Sequence, residues 1–147
     1  MTPGAAAGYS GTPLARKLGV KPQARVALIG APADFDATLG ELPVGVVVRR
    51  RLRGPLDVIV AFSTRRAQLE RRLPALRRAL DHDGGLWLAW PKRTSGVSTD
   101  LGEGIVRELG LGAGLVDNKV CAIDATWSGL RFVYRRGDRP ARAARST

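Results

Sequence analysis

Ten side chains suited to gripping an anion stand at the ends of apolar runs in this chain. They are Arg49 and Arg51, Ser63 and Thr64, Lys92, Arg93 and Ser95, and Thr126, Trp127 and Ser128. Guanidinium forks and hydroxyl donors match the oxygens of phosphate and carboxylate, and an indole offers a flat surface for a ring. Asp34 and Asp124 are the nearby acids. Other reactive side chains read as structural. Cys121 sits between Val120 and Ala122 as a buried, inert thiol, and Lys92 reads more readily as solvated than as a base or phosphate contact. His82, between Asp81 and Asp83-Gly84, reads as a surface residue in a turn. No acid/base pair stands out, and a single histidine with a single cysteine argues against a conventional zinc site.

The elements that must position these groups begin with Arg25-Val26-Ala27-Leu28-Ile29-Gly30-Ala31-Pro32, a buried strand running into a tight turn. In a nucleotide-binding α/β fold this is where the glycine-rich loop stands, because only a residue without Cβ lets the backbone approach a cofactor closely. Here one glycine is followed by Ala31 and by Pro32, which lacks a backbone N–H.

Around that strand the chain alternates. Thr12-Pro13 opens a short helix closed by Gly19, with Thr12 as cap and Pro13 as first helical residue. A helix over roughly 34–42 follows the first strand, then strands over 44–50 and 56–62. Leu69, Leu73, Leu76 and Leu80 form one helical stripe, with Pro74 expected to kink or split the helix. Asp83-Gly84-Gly85 reads as a turn into the strand Leu86–Trp90, and Asp100 with Glu103 as the start of a helix to about Leu111. Strands over 118–123 and 130–135 close the chain as a hairpin. This order predicts a three-layer, Rossmann-like α/β domain: a mainly parallel sheet with a C-terminal antiparallel β-hairpin. The expected divisions are an arm and short helix over 1–24, the α/β domain over 25–136, and a basic, disordered tail over 137–147.

Composition sets the partners. The 147 residues carry a net charge of +11, and 20 of the 24 basic residues are arginine. Five of these arginines, at 135, 136, 139, 142 and 145, lie in the tail or immediately before it, which suits weak, nonspecific, salt-sensitive contact with nucleic acid rather than sequence reading. No apolar run is long enough for a membrane span and the N-terminus lacks a signal pattern, so the expected compartment is the cytoplasm.

Two resemblances follow from these residues. From Leu18-Gly19-Val20-Lys21-Pro22 through the leucine-rich helix to the closing hairpin, the chain resembles a trimmed class I methyltransferase fold. That resemblance implies a glycine loop after Ile29 and an acid at the end of the second strand for the ribose of S-adenosylmethionine. The chain has Gly30-Ala31-Pro32-Ala33 and Arg49-Arg50-Arg51 there. Gly8-Tyr9-Ser10-Gly11-Thr12-Pro13-Leu14, Trp90-Pro91-Lys92 and Asp117–Asp124 with Thr126-Trp127-Ser128-Gly129-Leu130 are similar to a bacterial family of small proteins of unknown function. This second resemblance implies neither cofactor nor catalytic residue. The expectation is therefore a noncatalytic binding or regulatory protein, without a cofactor, taking an anionic ligand or protein partner at the strand-end rim. The alternatives are a divergent S-adenosylmethionine-dependent methyltransferase or other transferase, and a weak nucleic-acid binder.

Overall fold

The computed structural model describes residues 13–138. A six-stranded sheet runs β2-β1-β3-β4-β6-β5, with β1 Arg25–Ile29, β2 Val47–Arg49, β3 Leu56–Phe62, β4 Leu80–Pro91, β5 Leu115–Ala122 and β6 Trp127–Tyr134. β1 pairs in parallel with β2 and β3, and β3 in parallel with β4. β6 runs antiparallel to both β4 and β5. The three-layer α/β sheet and its antiparallel C-terminal hairpin are as the sequence pattern predicts.

Alternation along the strands feeds two cores. Ala27, Ile59, Ala61, Leu86 and Leu88 face α3 Arg66–Ala79 and α4 Glu103–Gly112. Val26, Leu28, Val58, Val60 and Trp87 face α1 Leu14–Lys17 and α2 Phe35–Leu39. β3 is sealed on both sides, which is why Val58 to Phe62 is an unbroken apolar run rather than an alternating one. The fully buried Trp87 satisfies its indole N–H by donating to the Leu18 carbonyl at 3.0 Å, tying α1 to the sheet.

Several local expectations are corrected. Pro13 is the cap of α1 rather than its first residue, and Thr12 lies outside the described residues. α2 is only five residues long, and β2 only three. Pro74 does not split α3: it lies on the exposed side, while Leu69, Leu73 and Leu76 hold the other side in the core. β4 begins at Leu80 and runs through Asp83-Gly84-Gly85, which is not a turn. Leu80 pairs with Leu56 but Gly85 with Val58, so β4 carries three more residues than β3 over that step. The extra residues form a bulge, and His82 within it is buried, at 8% exposure, not at the surface. α4 is capped by Gly102; Asp100 instead accepts the Arg66 backbone N–H at 2.7 Å. β5 starts at Leu115, before the expected 118. Apart from the turn Arg136–Asp138, the expected tail lies outside the described residues, as does the arm before Pro13. No helix among the described residues is long and apolar enough to cross a membrane.

Candidate functional site

The sheet order reverses between β1 and β3: the chain leaves β1 toward β2 on one side and returns to β3 on the other. In open α/β sheets the crevice beyond the carboxyl ends of the strands at such a reversal is where ligands bind. Here the turn after Ile29 and the segment after Phe62 lie at that reversal.

Gly30 makes the turn with φ +69°, and the Phe35 N–H closes it on the Pro32 carbonyl at 3.0 Å. A Cβ on Gly30 would lie 2.8 Å from the Phe62 carbonyl oxygen and 3.1 Å from Arg72 Nη2. The glycine's close approach therefore serves a side chain of the protein's own. Arg72 reaches back from α3 and donates from Nη1 to the Phe62 carbonyl at 2.6 Å and to Ser63 Oγ at 3.2 Å. Burial, helped by the charge of Arg71, lowers the pKa of Arg72, yet it stays a cation. Sequence reasoning missed Arg72. The available signal is its place three residues after Leu69 and four before Leu76, on the flank of the buried stripe.

Ser63 is buried, and its N–H extends the β3–β4 ladder to the Ala89 carbonyl at 3.1 Å. The Thr64 N–H is capped by Gln68 Oε1, and the Thr64 carbonyl accepts from Thr99 Oγ1 at 2.6 Å. With Arg66–Asp100 and Arg65–Ser98, these bonds strap the loop after β4 across the start of α3. Within that loop Ser95 Oγ donates to the Lys92 carbonyl at 2.7 Å, while the Lys92 N–H donates to the Thr126 carbonyl at 2.7 Å. Asp124 Oδ1 accepts from the N–H groups of Thr126 and Trp127, both at 2.8 Å, which fixes the hairpin turn. Trp127 is half-buried and packs edge-on against Phe62, which packs edge-on against Phe35 (ring centroids 5.0 and 4.9 Å).

The fold thus gathers Ser63, Thr64, Lys92, Ser95, Thr126 and Trp127 around the ends of β3, β4 and β6, with Ser128 opposite Trp90 in the ladder and Arg93 exposed on the adjoining turn. It does not bring Arg49 there. β2 ends with Arg49 opposite Ala27, two residues short of the end of β1, so Arg49 shares a face with Arg25. The two line a separate depression of about 350 Å³ with Arg53, Gly54 and Pro55. Arg51 is exposed beyond β2, and Arg50 is paired with Asp36 at 2.7 Å. Cys121 is half-buried rather than fully buried, and burial raises its pKa against the opposing pull of Lys17, Lys119 and Lys92.

No family model and no curated protein matches this sequence. Solved structures do match the fold. A putative type 11 methyltransferase from Sulfolobus solfataricus superposes with TM-score 0.61 at 12% identity, covering 88% of this chain and 94% of that one. A TehB-like SAM-dependent methyltransferase from Corynebacterium glutamicum gives TM-score 0.59 at 16% identity, covering 89% and 92%. A SAM-dependent methyltransferase from Aquifex aeolicus gives 0.59 at 15%, covering 80% and 85%. The fold is methyltransferase-like. These neighbours overturn the noncatalytic binder as the leading reading. The physical reason is that a changed turn removes a sequence motif without altering the sheet order on which the fold likeness rests.

Proposed function

We propose that this chain is a divergent S-adenosylmethionine-dependent methyltransferase whose cofactor site is the crevice between the ends of β1 and β3. The observation that carries the reading is the reversal of sheet order at that point, in a fold whose structural neighbours are methyltransferases of this kind.

The residues at the crevice suit such a cofactor in two respects. Asp34 is exposed in the turn after β1, and its carboxylate makes no side-chain bond among the described residues, whereas Asp36 is held by Arg50 and Asp124 by its own turn. Asp34 would accept the ribose hydroxyls, in place of the acid that β2 lacks. Arg72 Nη2, on the Gly30 side, makes no hydrogen bond among the described residues and would hold the cofactor's carboxylate. Pro32 gives the turn one donor fewer, so affinity is expected to be modest. The cofactor supplies an electrophilic methyl group. The protein's part is to orient it toward an acceptor at the rim, where Lys92 and Arg93 favour an anionic one and Thr126 and Ser128 offer hydroxyls.

Calorimetry on the full chain with S-adenosylmethionine and with its demethylated product tests the reading. One-site saturable binding is expected, weakened at least ~10-fold in Asp34→Asn, the loss of one charge-assisted contact. Absence of saturable binding by both ligands overturns it.

A further inference from the structure

At the opposite end of β4 from the crevice, the bulge opposite Leu56–Val58 places Asp81, His82 and Asp83 side by side, with one ligand atom from each lying within 4.8 Å of the others. Consecutive residues of a regular strand point to opposite faces and could not converge in this way. The three extra residues make the convergence. Asp81 and His82 are buried, while the Asp83 side chain is 43% exposed and opens the group to solvent.

His82 Nε2 is the unexplained atom. It is buried from solvent and makes no hydrogen bond among the described residues, though Asp83 Oδ2 is only 3.2 Å away. At that separation a hydrogen bond fails through direction, because the oxygen lies off the line on which the ring nitrogen bonds. A buried polar atom left in this state costs free energy and calls for a partner. An ion on the nitrogen's own bonding line supplies one. With both ligands ~2.1 Å from the ion, a 3.2 Å nitrogen–oxygen separation corresponds to an angle of about 100° at the ion, within the range of tetrahedral and octahedral sites. Asp81 Oδ1 is 3.4 Å from the other ring nitrogen, Nδ1, and Asp81 Oδ2 accepts the Asp83 N–H at 3.2 Å. That arrangement orients the ring and the following backbone together, as carboxylates behind metal-bound histidines do. Arg25 feels the charge of Asp81, but its fork is engaged by Asp57.

We propose that His82 Nε2 and the Asp83 carboxylate, oriented by Asp81, bind a divalent first-row transition ion, with water completing the shell on the exposed Asp83 side. One imidazole nitrogen with carboxylate oxygens suits Zn²⁺, Mn²⁺ or Co²⁺ over Mg²⁺ or Ca²⁺, which prefer all-oxygen shells. The two carboxylates balance the ion's charge. The site pins the β4 bulge and is independent of the crevice, so it stands or falls separately from the methyltransferase reading.

The test uses chelator-treated full chain titrated with Zn²⁺, followed by calorimetry and thermal melting, with Co²⁺ as a spectroscopic probe. Expected are one-site binding, a melting temperature raised by several degrees at saturation, and cobalt absorption bands showing nitrogen–oxygen ligation without thiolate. Asp83→Asn, at the exposed position, should weaken Zn²⁺ binding at least ~10-fold while leaving the far-ultraviolet spectrum unchanged, and Asp81→Asn should weaken it by ~10-fold. His82→Gln should abolish it. The proposal is overturned if Zn²⁺ does not bind. It is equally overturned if Asp83→Asn binds as the unsubstituted chain does, if cobalt reports ligation by Cys121, or if nuclear magnetic resonance shows His82 protonated between its two carboxylates with Zn²⁺ present.

Discussion

Arg72 fills the space that the missing side chain of Gly30 leaves: its Nη2 lies 3.1 Å from where that Cβ would be, and its Nη1 bonds the Phe62 carbonyl at 2.6 Å. The turn after β1 is thus tied to α3 across the end of β3. Gly30→Ala meets two independent penalties, the left-handed φ and the fixed Phe62 carbonyl 2.8 Å away. The expected loss of stability is ~1–3 kcal/mol in urea unfolding. Arg72→Gln removes two hydrogen bonds and should cost ~1–2 kcal/mol. The double variant should remain less stable than Arg72→Gln alone, because the Phe62 carbonyl remains; equal stability of the two would show that Arg72 alone requires the glycine.

Two glycines of α4 give opposite expectations. A Cβ at Gly110 would sit 2.1 Å from the Phe132 ring, so Gly110→Ala overpacks the core and should lose ~1–3 kcal/mol. Nothing lies within 4 Å of a Cβ at Gly104, so Gly104→Ala should gain ~0.5–1 kcal/mol from helix propensity. Thermal melts of both variants check the signs; the same sign in both would refute the packing assignment of α4.

Ion pairs should likewise separate by context. Asp57 holds Arg25 through the backbone N–H at 2.7 Å and the guanidinium at 3.0 and 3.1 Å, in a half-buried setting. Asp57→Ala should cost ~1–3 kcal/mol. The Asp36–Arg50 pair is exposed, and Asp36→Ala should change stability by under ~1 kcal/mol, with that small change vanishing in high salt. Equal losses at the two sites in a denaturant series would contradict this.

Tyr134 and Cys121 set the alkaline behaviour. Burial raises both pKa values, so each neutral form is favoured in the folded protein. Their contribution is fully present below the unfolded-state pKa and is lost as pH rises through the folded value. Stability should therefore fall above the ordinary thiol and phenol ranges. Tyr134→Phe, which removes the hydroxyl bonded to the Arg77 carbonyl, should cost ~1 kcal/mol at neutral pH and flatten the alkaline decline. Unfolding curves across alkaline pH measure both effects.

How much of this was legible follows from what each residue type can signal. The unbroken apolar run of β3 and the leucine spacing of α3 identify their elements because burial on both faces and on one stripe leave different periods. The start of β4 was hidden because Asp81-His82-Asp83-Gly84-Gly85 has the composition of a turn, and a bulge is a register relation to a distant strand. The placement of the rim hydroxyls and Lys92 at strand ends was legible because strand ends are predictable. Arg49 was misplaced because the rim position depends on β2 stopping two residues early. Arg72 was invisible among the other arginines of α3, since direction around a helix is decided by packing.

β4 also has a history that the finished sheet conceals. Its Leu86–Trp90 segment is buried in the folded protein, with β3 on one edge and β6 on the other. During synthesis β3 is already available when β4 emerges, but β6 follows only after the whole of α4 and β5. Until Trp127–Tyr134 leaves the ribosome, an apolar strand bearing two tryptophans has an open edge, the condition under which nascent chains pair with one another. The interval between the emergence of β4 and that of β6 is therefore the period in which this edge is open to pairing with another chain.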